Sequence, residues 1–292
     1  MLTDRYGRKI TYLRLSVTDR CNLRCTYCMP EEGIEKLPRA EVLSYDEMRR
    51  LVKILAREGL EKLRITGGEP LVRGGLADFI GRVRKENPGL EICLTTNGVL
   101  LLDHLDELVR AGVNRFNVSL DTLREETFRR LTRGEGLSRV LAGIDELIRR
   151  KLHPVKVNSL LIPGVNDDEL GDLVEFARGK EVVLRFIEQM PLTNGKARPI
   201  TSRDVEEFIR SRYRIVREHR APGETARTFE ISGFKGQVGV ISPLTGSFCS
   251  DCNRIRVTAD GSILTCLLHG GQFNLKKVLR SGGDDSEVLA FI

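Results

Sequence analysis

The chain has 292 residues, of which 40% are hydrophobic and 30% are charged, and its formal net charge is +6. No apolar run approaches the roughly 18 residues of a membrane span, and the first ten residues, MLTDRYGRKI, lack the apolar core of a secretory signal. These features predict a folded cytoplasmic protein with no membrane partner. The basic charge favours a phosphorylated ligand, but it is dispersed and aromatic residues make up only 5%, so we expect a small ligand and no nucleic acid.

Six short runs rich in β-branched residues alternate with segments of helical period. The runs are TYLRLSV, KLRITG, EICLTTN, RFNVSL, PVKVNSL and VVLRFIEQ. The intervening segment SYDEMRRLVKILAREG predicts a helix that begins at a capping box of Ser44 and Glu47 and ends at Gly59. DHLDELVRAG and DDELGDLVEFARG have the same form. About six successive βα units predict an α/β protein with a parallel sheet, either open and doubly wound or a full or partial barrel.

The pattern changes after about residue 212. FEISGFKGQVGVIS predicts short antiparallel strands with glycine turns, and QFNLKKVLRSGGDDSEVLAFI predicts helix. We therefore predict a larger domain over residues 1–226 and a small C-terminal α+β unit over residues 227–292. No low-complexity linker separates them, so we expect them to share an interface.

Polar and apolar side chains alternate along several of the predicted strands. The polar sets are Arg14, Ser16 and Thr18; Lys62, Arg64 and Thr66; Lys156 and Asn158; and Arg254 and Arg256. Side chains two residues apart on a strand share a face. A sheet face exposed to water is one interpretation, but the strands of a helix-covered parallel sheet are usually apolar on both faces. A polar lumen that holds an anionic ligand explains the pattern better.

The stretch CNLRCTYC places Cys21, Cys25 and Cys28 within eight residues. In a reducing compartment, such clusters are more often metal ligands than disulfides. Zinc needs a fourth ligand, and the nearest histidine in sequence is His104. A 4Fe–4S cluster accepts three thiolates and leaves one iron open to a substrate or cofactor. This interpretation accounts for the three-cysteine pattern without a further protein ligand.

CNLRCTYC, followed downstream by ITGGEPLVR, resembles the signature of radical S-adenosylmethionine enzymes. Glycines at positions 67 and 68 allow the backbone to approach a ligand closely. The resemblance implies that S-adenosylmethionine chelates the open iron of a 4Fe–4S cluster. It also implies that the reduced cluster cleaves this cofactor to a 5′-deoxyadenosyl radical, which abstracts a substrate hydrogen.

A second group, in CSDCNRIRVTADGSILTC, contains Cys249, Cys252 and Cys266, and His269 follows at CxxH spacing. Spacing alone supports a Cys3His zinc site about as well as a cluster. With YLRLSVTDRCNLRC upstream, however, the segment resembles the GTP 3′,8-cyclases of molybdenum cofactor biosynthesis. That resemblance implies an incomplete (βα)6 TIM-like barrel and a C-terminal unit with a second 4Fe–4S cluster, whose open iron contacts guanine.

The same resemblance implies the activity and its residues. The expected activity is that of a lyase that converts GTP to 3′,8-cyclo-7,8-dihydroguanosine 5′-triphosphate. The implied catalytic residues are Cys21, Cys25, Cys28, Arg254 and Arg256. The implied S-adenosylmethionine contacts are Tyr27, Gly68, Ser119 and Met190. The implied GTP contacts are Arg14, Arg64, Thr95, Lys156, Arg254, Ile255 and Arg256.

The resemblance also implies partners: an electron-donor protein and, downstream in the pathway, cyclic pyranopterin monophosphate synthase. A homodimer is left open. The family pattern ends in a Gly-Gly tail, whereas this sequence stops at SEVLAFI with Gly282 and Gly283 before the end. Two alternatives are a peptide-modifying radical enzyme with an auxiliary cluster and a zinc-bearing nucleic-acid module. No peptide-recognition unit supports the first, and the GGEP segment opposes the second.

Overall fold

The computed structural model describes residues 1–190, 198–221, 223–246, 248–266 and 272–292. The strands are β1 (Tyr12–Ser16), β2 (Lys62–Thr66), β3 (Glu91–Thr96), β4 (Arg115–Ser119), β5 (Val155–Leu160), β6 (Val182–Ile187), β7 (Ile215–His219), β8 (Ala226–Ile231), β9 (Gln237–Ile241), β10 (Arg254–Val257), β11 (Ser262–Leu264) and β12 (Gln272–Asn274). The α-helices are α1 (Tyr45–Arg57), α2 (Leu76–Glu86), α3 (Leu101–Ala111), α4 (Glu125–Thr132), α5 (Leu137–Arg149), α6 (Leu170–Gly179), α7 (Ser202–Arg212), α8 (Lys276–Arg280) and α9 (Asp285–Ala290).

Strands β1 to β6 lie side by side, parallel and in chain order. Each strand is connected to the next through one or two helices, and α7 follows β6. A doubly wound sheet reverses its strand order at a switch point, whereas this order runs in one direction only, as in a barrel. The six predicted strands and the barrel-type α/β fold are therefore confirmed.

The C-terminal strands extend this sheet at both ends. Strand β9 pairs in parallel with β6 and continues into β8 and β7, while β10 pairs in parallel with β1 and continues into β11 and β12. In the described part of the chain β7 and β12 do not pair, so the barrel is incomplete. The domain boundary at residue 226 falls within β8 and remains a prediction, because the same sheet continues on both sides of it.

Local signals predict the start and the end of helix α1 correctly. The Ser44 hydroxyl accepts a hydrogen bond from the Glu47 amide, and the Glu47 carboxylate accepts one from the Ser44 amide at 2.6 Å, which completes the predicted capping box of α1. Gly59, at φ +94°, follows the end of α1. Two predictions need correction: Asp167–Glu169 forms a 3₁₀ turn before α6, and residues 272–274 form a strand. In the second case, pairing of β12 with β11 outweighs the local helical signal.

The hydrophobic core lies between the sheet and its helices. Leu13 and Leu15 of β1 and Leu63 and Ile65 of β2 are fully buried on this side. Because strand side chains alternate, Arg14 and Arg64 lie on the other face, inside the curved sheet. Each helix of the described residues is too short or too polar to traverse a bilayer.

Candidate active site

The loop between β1 and α1 carries the first cysteine group. The amide of Cys28 donates to the carbonyl of Cys25 at 2.9 Å. The interaction between their two thiols lowers the pKa of Cys28 and raises the pKa of Cys25. The Cys21 sulfur accepts from the Leu23 amide at 3.4 Å, and burial raises the pKa of Cys21. The loop therefore brings Cys25 and Cys28 into contact and places Cys21 beside them.

The chemistry of this donor set fits an iron–sulfur cluster. Cys21 interacts electrostatically with both Cys25 and Cys28, and Cys thiolates are the usual ligands of 4Fe–4S clusters. Within the described ranges, no three or more His, Cys, Asp or Glu side chains are already arranged around a single metal-ion position. The three thiols share a single loop, with Cys28 exposed and Cys21 and Cys25 half-buried.

The GGEP segment after β2 packs on the chain that enters this loop. The Gly68 amide donates to the Thr18 carbonyl, and the Glu69 amide donates to the Arg20 carbonyl, both at 2.8 Å. A Cβ atom on Gly68 would lie 2.3 Å from the Arg20 carbonyl oxygen. Glycine is therefore required here because two backbone segments approach closely. This reason is separate from the close approach of a ligand that the sequence suggested.

The Glu69 carboxylate connects the ends of neighbouring strands. It is buried and accepts hydrogen bonds from the Thr96 hydroxyl and the Asn97 amide, each at 2.7 Å. The Asn97 side chain in turn donates to the Asn22 side chain at 2.8 Å and to the Cys21 sulfur at 3.8 Å. The cysteine loop is thus fastened to the carboxyl ends of β2 and β3.

A pocket lies beside the cysteine loop, at the carboxyl end of β4. Its lining residues are Leu23, Cys25, Tyr27, Asn97, Ser119, Asp121, Thr122, Phe128, Leu131 and Thr132. The Tyr27 hydroxyl donates to Asp121 Oδ2 at 2.5 Å, and Asp121 Oδ1 accepts from the Leu160 amide at 2.8 Å. Burial raises the pKa of Asp121 to about 6. Of the predicted S-adenosylmethionine contacts, Tyr27 and Ser119 lie together in this lining, while Gly68 and Met190 lie outside it.

The inner face of the sheet is basic. Arg64 donates to the Tyr12 hydroxyl and, at 3.2 Å, to the Thr95 hydroxyl, while Arg254 donates to the Gly223 carbonyl at 2.7 Å. Arg64 is only 5% exposed and Arg254 only 7% exposed, which excludes a sheet face that is simply open to water. The predicted polar lumen is therefore present in the structure.

Strand register concentrates these cations. Arg14 lies opposite Arg64 of β2 on one side and Arg256 of β10 on the other. Burial, and then these neighbouring guanidinium groups, lower the pKa of Arg14 to about 10, and burial also lowers the pKa of Arg256. Five lumen arginines form no salt bridge with a carboxylate among the described residues. They are Arg14, Arg64, Arg185, Arg254 and Arg256.

These five arginines and Lys156 form a basic wall on the inner face of the sheet. Arg185 of β6 belongs to this basic wall but was not predicted. It is 8% exposed, its Nη2 donates to Asn158 Oδ1 at 2.6 Å, and its Nε has no hydrogen-bond partner. Its position between Leu184 and Phe186 is the same alternation that identified the other cations, so the signal was present in VVLRFIEQ. Asn97 and Asp121 were also missed; each is a polar residue just beyond the end of a strand, β3 and β4 respectively.

Ile255 lies differently from its two neighbours. Its side chain is buried in the hydrophobic core, on the opposite face of β10 from Arg254 and Arg256. A ligand in the lumen would meet the two arginine side chains, and Ile255 could contribute only through its backbone.

The second cysteine group lies where β10 begins and β11 ends. Cys249 opens a 3₁₀ turn, Cys252 precedes β10, and Cys266 follows β11, which is antiparallel to β10. Arg8 Nη1 donates to the Cys249 carbonyl at 2.5 Å, and Arg256 interacts electrostatically with Cys252 and Cys266. This group therefore adjoins the basic wall. His269, the candidate zinc ligand, lies outside the described residues.

Two family profiles match the chain in succession: the Radical SAM superfamily over residues 15–177 and Molybdenum Cofactor Synthesis C over residues 182–292. The GTP 3′,8-cyclase of Paenarthrobacter nicotinovorans is 45% identical, across 98% of this chain and 86% of the relative. That of Syntrophomonas wolfei is 42% identical, across 98% and 90%. The chain belongs to the GTP 3′,8-cyclase family of radical SAM enzymes.

Longer proteins also contain a region similar to this cyclase-family chain. Molybdenum cofactor biosynthesis protein 1 of Drosophila melanogaster is 43% identical over 99% of the chain, and that of Dictyostelium discoideum is 42% identical over 100%. The chain spans about half the length of these two relatives, 52% and 48%.

Solved structures share the fold. Streptococcus suis SuiB bound to S-adenosylmethionine has a TM-score of 0.66 at 15% identity, across 95% of this chain and 66% of that one. AnSMEcpe with bound AdoMet has a TM-score of 0.62 at 16% identity, across 96% and 82%. At these identities the similarity establishes the architecture alone.

Proposed function

We propose that this protein converts GTP to 3′,8-cyclo-7,8-dihydroguanosine 5′-triphosphate by radical chemistry that starts from S-adenosylmethionine. The observation that carries the proposal is the basic wall of the lumen, in a chain of the GTP 3′,8-cyclase family. Buried cations are costly unless an anion accompanies them. A triphosphate bound in the lumen would supply that charge, and guanidinium groups can bind phosphate bidentately.

The first cysteine group would hold a 4Fe–4S cluster through Cys21, Cys25 and Cys28. Bound there with S-adenosylmethionine, such a cluster supplies the one-electron reduction that begins the radical reaction. The residues of the chain would position the cluster and S-adenosylmethionine. Tyr27 and Ser119 line the adjoining pocket, and Gly68 anchors the loop that carries the thiols. Met190, just after β6, is assigned to the same cofactor on the resemblance alone.

The GTP contacts are assigned by their place in the lumen. Arg14, Arg64, Thr95 and Lys156 lie on β1, β2, β3 and β5, respectively, and would hold the phosphates and ribose. Arg254 and Arg256 lie toward the second cysteine group and would orient the nucleotide there. Arg185 extends the same wall on β6 and joins the phosphate ligands by the same argument.

The second group, Cys249, Cys252 and Cys266, would hold another 4Fe–4S cluster, next to guanine. The nearness of Arg256 to two of these cysteines supports this assignment, since the group then borders the substrate cavity. The electron-donor protein, the downstream cyclic pyranopterin monophosphate synthase, a homodimer and a cytoplasmic location stay predictions from the family resemblance.

Metal analysis and turnover test the proposal in protein purified without oxygen. About eight irons with matching sulfide and no zinc are expected, together with conversion of GTP. About four irons and one zinc would overturn the second cluster and leave the first. Arg254→Ala and Arg256→Ala should keep both clusters and S-adenosylmethionine cleavage but lose GTP turnover, whereas the exposed Arg217→Ala should keep all three. Normal turnover in the two lumen variants would contradict their assignment.

A further inference from the structure

Lys156, on the same inner face as the lumen arginines, is already paired with a carboxylate. Lys156 Nζ lies 3.0 Å from Oε1 of Glu224, a residue on the segment that leads into β8. The Glu224 carboxylate also interacts electrostatically with Arg185 and Lys62, which face the same side of the sheet. Glu224 therefore places a negative charge among the lumen cations. Five of those cations are arginines that form no salt bridge with a carboxylate among the described residues.

The backbone beside Glu224 contacts the opposite wall. The carbonyl of Gly223 accepts the hydrogen bond from Arg254 of β10, while Glu224 pairs with Lys156 of β5. Four strands, β1 to β4, separate β10 from β5 in the sheet. Side chains from these two strands therefore converge on two consecutive residues of this short segment.

We propose that Glu224 competes with the phosphates of the substrate for Lys156 and so lowers the affinity of the site for them. The proposal rests on the proposed function, because it assumes that GTP phosphates enter this wall. A carboxylate and a phosphate accept the same hydrogen bonds from an ammonium group, and holding both beside it would bring like charges together. A ligand that uses Lys156 therefore has to displace Glu224.

The competition affects only ligands with a phosphate. A triphosphate that displaces Glu224 gains contacts with several arginines, whereas a nucleoside neither displaces the carboxylate nor gains from its removal. Glu224 thus lowers the affinity of every phosphorylated ligand that reaches Lys156.

Equilibrium dialysis of the anaerobic holoenzyme with GTP and with guanosine tests this. In Glu224→Gln, which keeps the shape and removes the charge, GTP should bind roughly three- to tenfold more tightly. Guanosine affinity should not change. In a Lys156→Ala background, most of the effect of Glu224→Gln on GTP should disappear, because the two residues act through one ion pair. Glu218→Gln is the control, since Glu218 pairs with Arg210 and Arg227 on the outer hairpin, and it should leave both affinities unchanged.

Each other outcome has a defined meaning. Unchanged or weaker GTP binding in Glu224→Gln would overturn the competition. An equal increase in guanosine affinity would also overturn it. So would an effect of Glu224→Gln on GTP affinity that stays just as large in the Lys156→Ala background. If the wild-type enzyme binds GTP no better than guanosine, the phosphate site of the proposed function fails instead. Thermal unfolding of each variant identifies any loss that comes from misfolding.

Discussion

Replacement of Gly68 by alanine should damage the first cysteine site through backbone contact alone. The new Cβ would lie 2.3 Å from the Arg20 carbonyl oxygen, 2.7 Å from the Arg20 carbonyl carbon and 3.0 Å from the Asp19 carbonyl oxygen. All three atoms belong to the main chain, so no side chain can rotate away. The segment that leads into Cys21 has to move by about 1 Å to restore ordinary van der Waals separation.

The cost follows from the contacts that this movement disturbs. Overpacking of a rigid site costs about 1–3 kcal/mol. The displacement also strains two hydrogen bonds, Gly68 to Thr18 and Glu69 to Arg20, each 2.8 Å long, and loss of one costs about 1 kcal/mol. We expect the free energy of unfolding to fall by about 2–4 kcal/mol. Because the displaced segment carries Cys21, the iron content per chain and S-adenosylmethionine cleavage should also fall.

Urea unfolding of the reduced apoprotein and iron analysis of the reconstituted protein measure these effects. Gly81→Ala is the matched control, because Gly81 lies in α2 and its Cβ would meet no atom within 4 Å. That variant should be more stable by about 0.5–1 kcal/mol, since glycine is unfavourable inside a helix, and should keep its iron. If Gly68→Ala retains wild-type stability and iron content, the close-approach argument is wrong.

Two further variants probe the pocket and the basic wall. Tyr27→Phe leaves Oδ2 of the buried Asp121 carboxylate without its donor, which should lower the free energy of unfolding by about 1–3 kcal/mol. In dialysis, the variant should bind S-adenosylmethionine more weakly and GTP as before, and adding Asp121→Asn should recover the stability. Wild-type stability and cofactor affinity in Tyr27→Phe would refute this role. Arg185→Met removes a buried cation whose Nε has no hydrogen-bond partner, so the free energy of unfolding of the apoprotein should rise by about 1 kcal/mol. The affinity for GTP should fall by roughly tenfold or more. An unchanged GTP affinity would remove Arg185 from the phosphate site.

The sequence by itself determines the repeating units and the chemistry of the ligands. Short β-branched runs, a capping box and terminal glycines are local signals, and they predicted β1 to β6 and the end of α1 because each depends on neighbours within one or two turns. Period-two alternation predicted the inner face for the same reason. The cysteine spacing predicted the first site because its three thiols lie on one loop.

Only the tertiary structure decides where distant strands lie. The placement of β10 beside β1 pairs residues about 240 positions apart. Strand β9 pairs with β6 although α7, β7 and β8 lie between them in the sequence. No local preference selects such partners. As a result, the position of Arg14 between Arg64 and Arg256 exists only in the folded chain. The same holds for the convergence of Arg254 and Lys156 on Gly223 and Glu224.

The strand at residues 272–274 is a second case in which the local sequence does not determine the structure. Its sequence favours a helix, but pairing with β11 makes it a strand. Backbone hydrogen bonds between segments can outweigh intrinsic preferences of a few tenths of a kcal/mol per residue. The sequence therefore determines which thiols and cations are available for the proposed iron and phosphate sites, whereas long-range strand pairing decides which of them share one cavity.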